Sequence, residues 1–197
     1  MAFTRGVLQI GDMNKQLLIF PAIAFGFVAV FALRGLSIDG TAAPSVLVGK
    51  PAPSLSLEAI PRYGDPFNPA ELKGEVVLVN IWGSWCVNCL YEHPVLLAMQ
   101  ASGVKVYGLA WNDTPEAAAI WLDRYQSPFE AVGLDQTGFG VAEFGVTGAP
   151  ETFVIDASGT IRTRFIGALT MQQWEREIKP MIEELRREAV MFPPASS

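Results

Sequence analysis

The sequence has only two cysteines and one histidine among its 197 residues. A scaffold held together by several disulfides is therefore excluded. Zinc and similar metals normally take four protein ligands, so a site built from Cys86, Cys89 and His93 would need carboxylates or a second chain. A disulfide between cysteines three residues apart closes a very short loop and constrains the unfolded chain little. Redox chemistry is the favoured use of this pair, and metal binding is the alternative.

Charged residues are also scarce, at 17% of the sequence, whereas 50% of the residues are hydrophobic. This composition argues against extended disorder. Acidic residues outnumber basic ones by 20 to 14, which gives a formal net charge of −6. Nucleic-acid binding draws most of its affinity from Lys and Arg on phosphates, so this balance disfavours a nucleic-acid partner.

One segment, residues 17–33 (LLIFPAIAFGFVAVFAL), carries no charge at all. Its length is near the lower limit of about 17–25 residues for a membrane-spanning helix. It exceeds the apolar stretch of about 7–15 residues in a cleavable signal peptide, and no small-residue cleavage site follows it directly. The sequence predicts that residues 1–38 hold a cytoplasmic N-terminus and a transmembrane anchor. Cleavage within residues 40–43 is the alternative.

Flanking charges set the expected orientation of this anchor. Arg5 and Lys15 precede the apolar segment, whereas Arg34 alone follows it closely. Basic residues are retained in the cytoplasm, so the main domain is expected outside the inner membrane. We therefore predict a single-pass protein whose residues 55–197 form a periplasmic domain. Residues 39–54, rich in small residues and proline, are expected to link the two parts.

The rest of the sequence alternates between strand and helix patterns. We predict strands at 76–82, 104–110, 152–156 and 160–166, and helices at 86–100, from Thr114 through about 126, at 138–145 and from Thr170 to about 190. On the first helix, Leu90, Leu97 and Ala101 are expected among the apolar positions. The early βαβ units require parallel strands with right-handed crossovers, and the hairpin adds antiparallel ones. The pattern indicates an α/β fold with a central mixed sheet covered by helices on both faces.

The two cysteines lie in the sequence WGSWCVNC, at residues 82–89, between a buried strand and a helix. Cys86 would lie at the N-terminus of the helix, where free N–H groups and the helix dipole stabilise a thiolate. Cys89 would lie about one turn further on, within reach of Cys86 but shielded from solvent. This arrangement predicts that Cys86 attacks a substrate disulfide and that Cys89 resolves the mixed disulfide.

A second motif, GVTGAPET at residues 145–152, places Pro150 just before a strand. Proline suits a cis peptide bond at a tight turn, and its missing N–H leaves the neighbouring backbone free to contact a substrate chain. An ordinary loop with a trans proline is the alternative reading of this motif.

Both motifs resemble those of the thioredoxin fold. More closely, VGKPAPSLSL, LVNIWGSWCVNCLYEHP, VYGLAWND and FGVTGAPETFVIDASGTIRTRFIGALT resemble the CcmG/DsbE family of cytochrome c biogenesis thiol–disulfide proteins. The similarity covers residues 48–169, and a single N-terminal anchor is typical of that family. The resemblance implies a periplasmic protein-disulfide reductase that keeps apocytochrome c, or another maturation thiol protein, reduced. It also implies a membrane electron donor of the CcdA/DsbD type, and no cofactor or metal.

The resemblance also assigns roles to individual residues. It implies that Cys86 and Cys89 are the attacking and resolving cysteines and that Pro150, beside Ala149, is a cis-proline in the substrate groove. The family's acidic residues near the redox centre correspond to Glu92 and Glu151, which could modulate the thiol pKa or move a proton. A solvated helix position is the alternative for Glu92.

For two further side chains, Trp85 and His93, a functional role and a structural role are both open. Trp85 is expected to shield the disulfide and line the docking surface, with core packing as its alternative. His93 fits the family pattern, but a lone histidine is more often structural.

The chain departs from the family in one respect. Many relatives carry proline between the two cysteines, whereas this chain has Val87 and Asn88. These residues tune the relative stability of dithiol and disulfide, so the reducing direction is less firmly indicated than the redox chemistry. The alternatives are a general periplasmic reductase or oxidase on the same fold, and a non-enzymatic metal or haem chaperone that uses Cys86, Cys89 and His93.

Overall fold

The computed structural model describes residues 47–192, together with the isolated positions Ile23, Phe25 and Gly26. Apart from those three positions, the predicted anchor at 17–33 lies outside the described residues. The same is true of most of the predicted linker. Within the part of the chain that the structure describes, no helix is both long and apolar enough to cross a membrane.

Five strands and four helices make up the described region. The strands are β1 (Val77–Trp82), β2 (Lys105–Trp111), β3 (Ala131–Asp135), β4 (Glu151–Ile155) and β5 (Ile161–Ile166). The helices are α1 (Val87–Ala101), α2 (Pro115–Tyr125), α3 (Phe139–Glu143) and α4, which joins Met171–Gln173, a π-helical turn Trp174–Ile178 and Lys179–Met191. A short 3-10 turn spans Pro69–Glu71.

The strands form one mixed sheet in the order β3-β2-β1-β4-β5. β1, β2 and β3 are parallel, while β4 pairs antiparallel with both β1 and β5. All six residues of β1 are buried, as expected for a central strand covered on both faces. The predicted mixed sheet is therefore confirmed.

Helices and the N-terminal segment cover the two faces of this sheet. The units β1-α1-β2 and β2-α2-β3 step in the same direction, so right-handed crossovers place α1 and α2 on one face. α4 contributes Trp174 and Ile178 to the same core. α3 and the segment before β1, including Leu55 and Phe67, form the core on the opposite face.

Local sequence signals place the starts of two helices. The Thr114 side chain accepts a hydrogen bond from Ala117 N at 3.2 Å and caps α2, with Pro115 as its first residue. The capping box predicted for α4 is also present, because Thr170 and Gln173 bond each other reciprocally. Both helix starts are confirmed.

The sequence patterns missed strand β3. Its sequence, AVGLD, contains glycine and aspartate, which are depleted in strands. A Cβ at Gly133 would lie 2.5 Å from the side chain of Leu57, which would have to move to make room for it. The segment that contains Leu57 pairs with β3 through Glu58 and Leu134. A long-range contact therefore favours glycine at this position of the strand.

The predicted apolar face of α1 was also wrong. Leu90 and Ala101 are exposed and Leu97 is half-buried. The buried face instead carries two polar side chains among its apolar ones, and its members are Cys89, Glu92, His93, Val95, Leu96 and Met99. Because Glu92 and His93 occupy core positions, the hydrophobic pattern indicated the wrong side of the helix.

Candidate active site

Three loops meet at one edge of the sheet. β1 and β2 are parallel, with Trp82 opposite Ala110, so the loops that follow both strands leave at the same edge. β4 is antiparallel to β1, with Ile81 opposite Glu151, so the loop that precedes β4 arrives at this edge. The topology therefore brings together residues 83–86, 112–114 and 145–150.

The first loop carries the disulfide between Cys86 and Cys89. Cys86 is the N-cap of α1, and its sulfur accepts a hydrogen bond from Cys89 N at 3.1 Å. Once the disulfide is reduced, this donor and the helix dipole would stabilise a Cys86 thiolate. Cys86 retains 6% exposure and Cys89 2%, so Cys86 is the more accessible of the two. The attacking and resolving roles remain predictions that fit this geometry.

The surface beside the disulfide is apolar. A cavity of about 340 Å³ is lined by Cys86, Trp85 and side chains from α1 and α2, including Leu90 and Ile120. Trp85 is 48% exposed, which excludes the core-packing alternative for this side chain. Val87 and Ile120 are also exposed. A flexible protein segment could bury these side chains when it presents its disulfide to Cys86.

The third loop contains the Ala149–Pro150 peptide bond, which is cis, as the resemblance implied. Pro150 is buried, Ala149 is half-buried, and the Pro150 carbonyl accepts a hydrogen bond from Gly167 N at 2.9 Å. The proline lacks an N–H, so its nitrogen donates no hydrogen bond to a neighbouring strand.

Glu151 is completely buried and fixes this loop. Its Oε1 accepts hydrogen bonds from Thr147 N at 2.8 Å, from Thr147 Oγ1 at 2.7 Å and from Gly148 N at 3.2 Å. Its Oε2 lies 3.4 Å from Nη1 of Arg164 in β5. Glu151 therefore anchors the loop that carries Pro150 by contacts within the protein.

Sequence reasoning missed Arg164 as part of this site. Its Nη1 also donates to the Gly145 carbonyl at 2.9 Å, so it holds the first residue of the loop as well as Glu151. Arg164 is 13 residues from Glu151, and no local sequence feature joins them. The available signal was general: an acid at the start of a buried strand requires a cation or several donors.

Glu92 is completely buried as well, which excludes the solvated alternative. Oε1 accepts from Asn80 Nδ2 at 2.9 Å and Oε2 from Leu169 N at 2.9 Å. Burial raises the pKa of Glu92 from 4.5 to about 7, although the hydrogen bonds from Leu169 and Asn80 act to lower it. Glu92 lies three residues after Cys89, and both side chains are on the buried face of α1.

Asn80 is a second residue that the sequence analysis missed. It lies in the middle of β1, and its Nδ2 also donates to Thr152 Oγ1 of β4 at 3.0 Å. The amide therefore joins Glu92 to the strand that begins beside Pro150. A single polar residue in the apolar strand VLVNIW was the signal that could have identified it.

His93 makes packing and hydrogen-bond contacts between helices, as expected for a structural histidine. Its Nε2 lies 2.9 Å from the Tyr125 carbonyl, and its ring packs edge-on against Trp121 at 4.8 Å. Histidine therefore links α1 to α2. Among the residues that the structure describes, no group of three or more His, Cys, Asp and Glu side chains could hold a metal ion.

Known proteins with similar sequences and structures share this arrangement of elements. Residues 47–179 match the Redoxin family. The chain is 37% identical to the thiol:disulfide interchange protein DsbE of Pseudomonas aeruginosa over 173 residues, covering 88% of this chain and 96% of that protein. It is 37% identical to the thiol:disulfide interchange protein HelX of Rhodobacter capsulatus over 172 residues, covering 86% and 97%.

Solved structures agree with these sequence matches. A thiol:disulfide interchange protein of the thioredoxin family from Chlorobium tepidum superposes with a TM-score of 0.57 at 28% identity. The match covers 71% of this chain and 99% of that one. The predicted thioredoxin-like fold of the described region is therefore confirmed.

Proposed function

Because the chain belongs to the Redoxin family and, within it, to the DsbE/HelX thiol:disulfide interchange proteins, we propose that it reduces disulfides during cytochrome c biogenesis. Its activity as a thiol:disulfide oxidoreductase follows from family and fold. The proposed substrate is apocytochrome c or another thiol protein of that maturation pathway. The proposed location is the periplasmic side of the inner membrane, with residues 17–33 as a single-pass anchor.

The observation that carries the chemistry is the position of Cys86. It caps α1 beside an exposed apolar surface, while Cys89 is held behind it within the helix. A Cys86 thiolate attacks one sulfur of the substrate disulfide, and the other sulfur leaves as a thiolate that takes up a proton. Cys89, as a thiolate, then attacks the Cys86 sulfur and releases the second substrate sulfur. The substrate gains two electrons and the enzyme is left with its disulfide.

Glu92 supplies a place for the proton that Cys89 must lose. Its carboxyl lies one helical turn beyond Cys89 on the same buried face, and its pKa of about 7 allows both protonation states near neutral pH. In the proposed mechanism Glu92 accepts the Cys89 proton during resolution and releases it later. Glu151 has a different role, since its oxygens are already bonded to Thr147, Gly148 and Arg164.

The apolar surface favours an unfolded protein substrate. Trp85, Val87 and Ile120 are exposed next to the disulfide, where an extended segment with apolar side chains would bury them. An apocytochrome is such a segment before haem attachment, because its chain has not yet folded. The enzyme disulfide must then be reduced again, and a membrane thiol transporter of the CcdA/DsbD type is the proposed electron donor.

A disulfide-forming enzyme on the same fold is the second candidate. It is kept as a candidate because Val87 and Asn88 stand where many relatives carry proline, and these positions tune the redox equilibrium. Oxidants and reductants of this kind differ by about 150 mV, or about 7 kcal/mol for two electrons.

Substrate trapping in cells tests the proposal. In the full chain, Cys89→Ser removes the resolving thiol, so the mixed disulfide between Cys86 and its substrate should accumulate. We expect apocytochrome c or a maturation thiol protein among the trapped species on non-reducing gels. Cys86→Ser is the matched control, and it should trap nothing. Trapping of unrelated periplasmic proteins alone would contradict the role in cytochrome c biogenesis, whereas the absence of any trapped species would contradict resolution by Cys89.

A further inference from the structure

A carboxylate outside the cysteine helix holds the loop between β1 and Cys86. The Ser84 backbone N–H donates to Asp113 Oδ2, and the Ser84 hydroxyl donates to Asp113 Oδ1 at 2.8 Å. Asp113 lies in the loop that connects β2 to α2, which leaves the sheet at the same edge. The backbone N–H and the hydroxyl of Ser84 are therefore both bound to a single side chain 29 residues away.

The residue after Ser84 is fixed to the end of strand β2. Trp85 Nε1 donates to the carbonyl of Trp111, the last residue of β2, at 2.9 Å, and the two indole rings meet edge-on with centroids 5.8 Å apart. Trp85 folds back over Gly83, where an added Cβ would lie 2.5 Å from Trp85 Nε1. Residues 83–85 therefore depend for their position on the end of β2 and on the loop that follows it.

Asp113 is itself held in place. Its Oδ1 also accepts from Thr114 N at 2.8 Å, and Thr114 is the N-cap of α2. The carboxylate thus joins the start of α2 to the loop that ends at Cys86. None of these hydrogen bonds involves a sulfur atom, so reduction of the disulfide removes no partner from the arrangement.

We propose that Asp113 is a positioning residue that aims the Cys86 sulfur at the substrate disulfide. Thiolate attack requires the sulfur to approach along the axis of the bond that breaks, and small errors of position in a reacting group can cost up to about a hundredfold in rate. The loop before Cys86 contains Gly83, so without the bonds to Ser84 its backbone would sample other conformations. The inference rests on the oxidoreductase activity alone and does not depend on the physiological substrate.

Charge and position make opposite predictions, which allows a decisive test. A nearby carboxylate disfavours a thiolate, so removing its charge alone would lower the pKa of Cys86 and increase the thiolate fraction at neutral pH. A Cys86 sulfur that is no longer held in position instead attacks a disulfide more slowly even when it is fully ionised. The rate at high pH, where Cys86 is completely deprotonated, therefore separates the two effects.

The experiment uses the reduced full chain and two probes across the pH range that titrates Cys86. Oxidised glutathione requires a directed approach to its disulfide, whereas alkylation by iodoacetamide has weak requirements for direction. In Asp113→Ala we expect the high-pH rate with glutathione to fall about ten- to a hundredfold and the alkylation rate to stay within about twofold. Ser84→Ala, which keeps the backbone bond, and Asp113→Asn, which keeps an oxygen acceptor, should give intermediate losses.

Glu116→Ala is the matched control, because Glu116 is an exposed acid in the first turn of α2 with no bond to residues 83–85. It should leave the high-pH rate with glutathione unchanged. The proposal is overturned if Asp113→Ala keeps the wild-type high-pH rate, if Glu116→Ala loses as much, or if both probes slow equally. If Asp113→Ala does not fold, Asp113→Asn and Ser84→Ala decide the test, and wild-type rates in both would overturn the proposal.

Discussion

Two glutamates, Glu92 and Glu151, are completely buried, and their carboxyl groups are supported in different ways. Glu151, the first residue of β4, bonds to Thr147 and Gly148 and pairs with Arg164. Among the described residues, the hydrogen-bond donors to Glu92 in helix α1 are the uncharged groups of Asn80 and Leu169. The two side chains have the same chemistry and the same complete burial, so their partners distinguish them.

On this difference we propose different tasks for the two carboxyls. A guanidinium partner compensates the buried charge of Glu151, which can then serve as a fixed anchor for the loop around Pro150. Within the described part of the chain no cation pairs with Glu92, and burial raises its pKa to about 7, which fits the proposed proton exchange with a thiol. The electrostatic partner, rather than burial, distinguishes the anchoring carboxyl from the one that we propose as proton acceptor.

The largest expected effect is the loss of stability when the ion pair between Arg164 and Glu151 is removed. Arg164→Met leaves Glu151 buried without its cation and should lower the free energy of unfolding by about 3–5 kcal/mol. Chemical denaturation of the oxidised protein measures this loss. Arg162→Met is the matched control on the same strand, because Arg162 forms exposed ion pairs with Asp156 and Glu188 and should cost about 1 kcal/mol or less. Equal losses in the two variants would contradict the special role of the buried pair.

The next effect concerns the pH dependence that Glu92 confers on the oxidised protein. Its pKa is about 7 in the folded state and near 4.5 when unfolded, so the folded protein binds this proton more tightly. The contribution of Glu92 to the free energy of unfolding is fully present below pH 4.5. It is lost as the pH rises to 7, and the loss amounts to up to about 3 kcal/mol. Glu92→Gln should remove this component of the pH dependence.

Unfolding free energies of the wild type and Glu92→Gln, measured in parallel between pH 4 and 8, check this prediction. The difference between the two proteins should grow in favour of the glutamine variant as the pH rises. A constant difference across this range would mean that Glu92 does not titrate there, and it would contradict the proposal that Glu92 accepts a proton.

A smaller effect sharpens the role of Asn80. Its hydrogen bond lowers the pKa of Glu92, so Asn80→Ala should move the inflection of the stability profile to higher pH. The loss of one hydrogen bond costs on the order of 1 kcal/mol. Thr152→Val provides the control, since it removes the other partner of the same amide and keeps the bond to Glu92. An inflection that moves equally in both variants would indicate a general packing effect.

Local signals were enough to predict much of the fold and the centre of the site. The apolar β-branched residues of β1, the cap at Thr114 and the spacing of Cys86 and Cys89 each act within a few residues. The hairpin and the capping box at Thr170 were predicted correctly for the same reason. These features depend on steric preferences and hydrogen bonds between near neighbours in the chain.

The features that were missed depend on contacts between distant parts of the chain. Leu57 packs over Gly133 of β3, and Arg164 is buried because Glu151 lies beside it. The buried face of α1 was assigned to the wrong side because Glu92 and His93 lie among its core residues. Sequence periodicity treats such polar residues as exposed, so it fails where the protein buries them for function or for helix contacts.

The reduction potential of the Cys86–Cys89 couple tests the proposed direction of electron flow most directly. The full chain is equilibrated with a thiol buffer of defined potential, and the dithiol fraction is measured by alkylation. We expect a value near that of reducing thioredoxins, about −270 mV, which would let the protein donate electrons to a substrate disulfide. A value near about −120 mV, typical of the strong periplasmic oxidants, would contradict it and indicate a disulfide-forming enzyme.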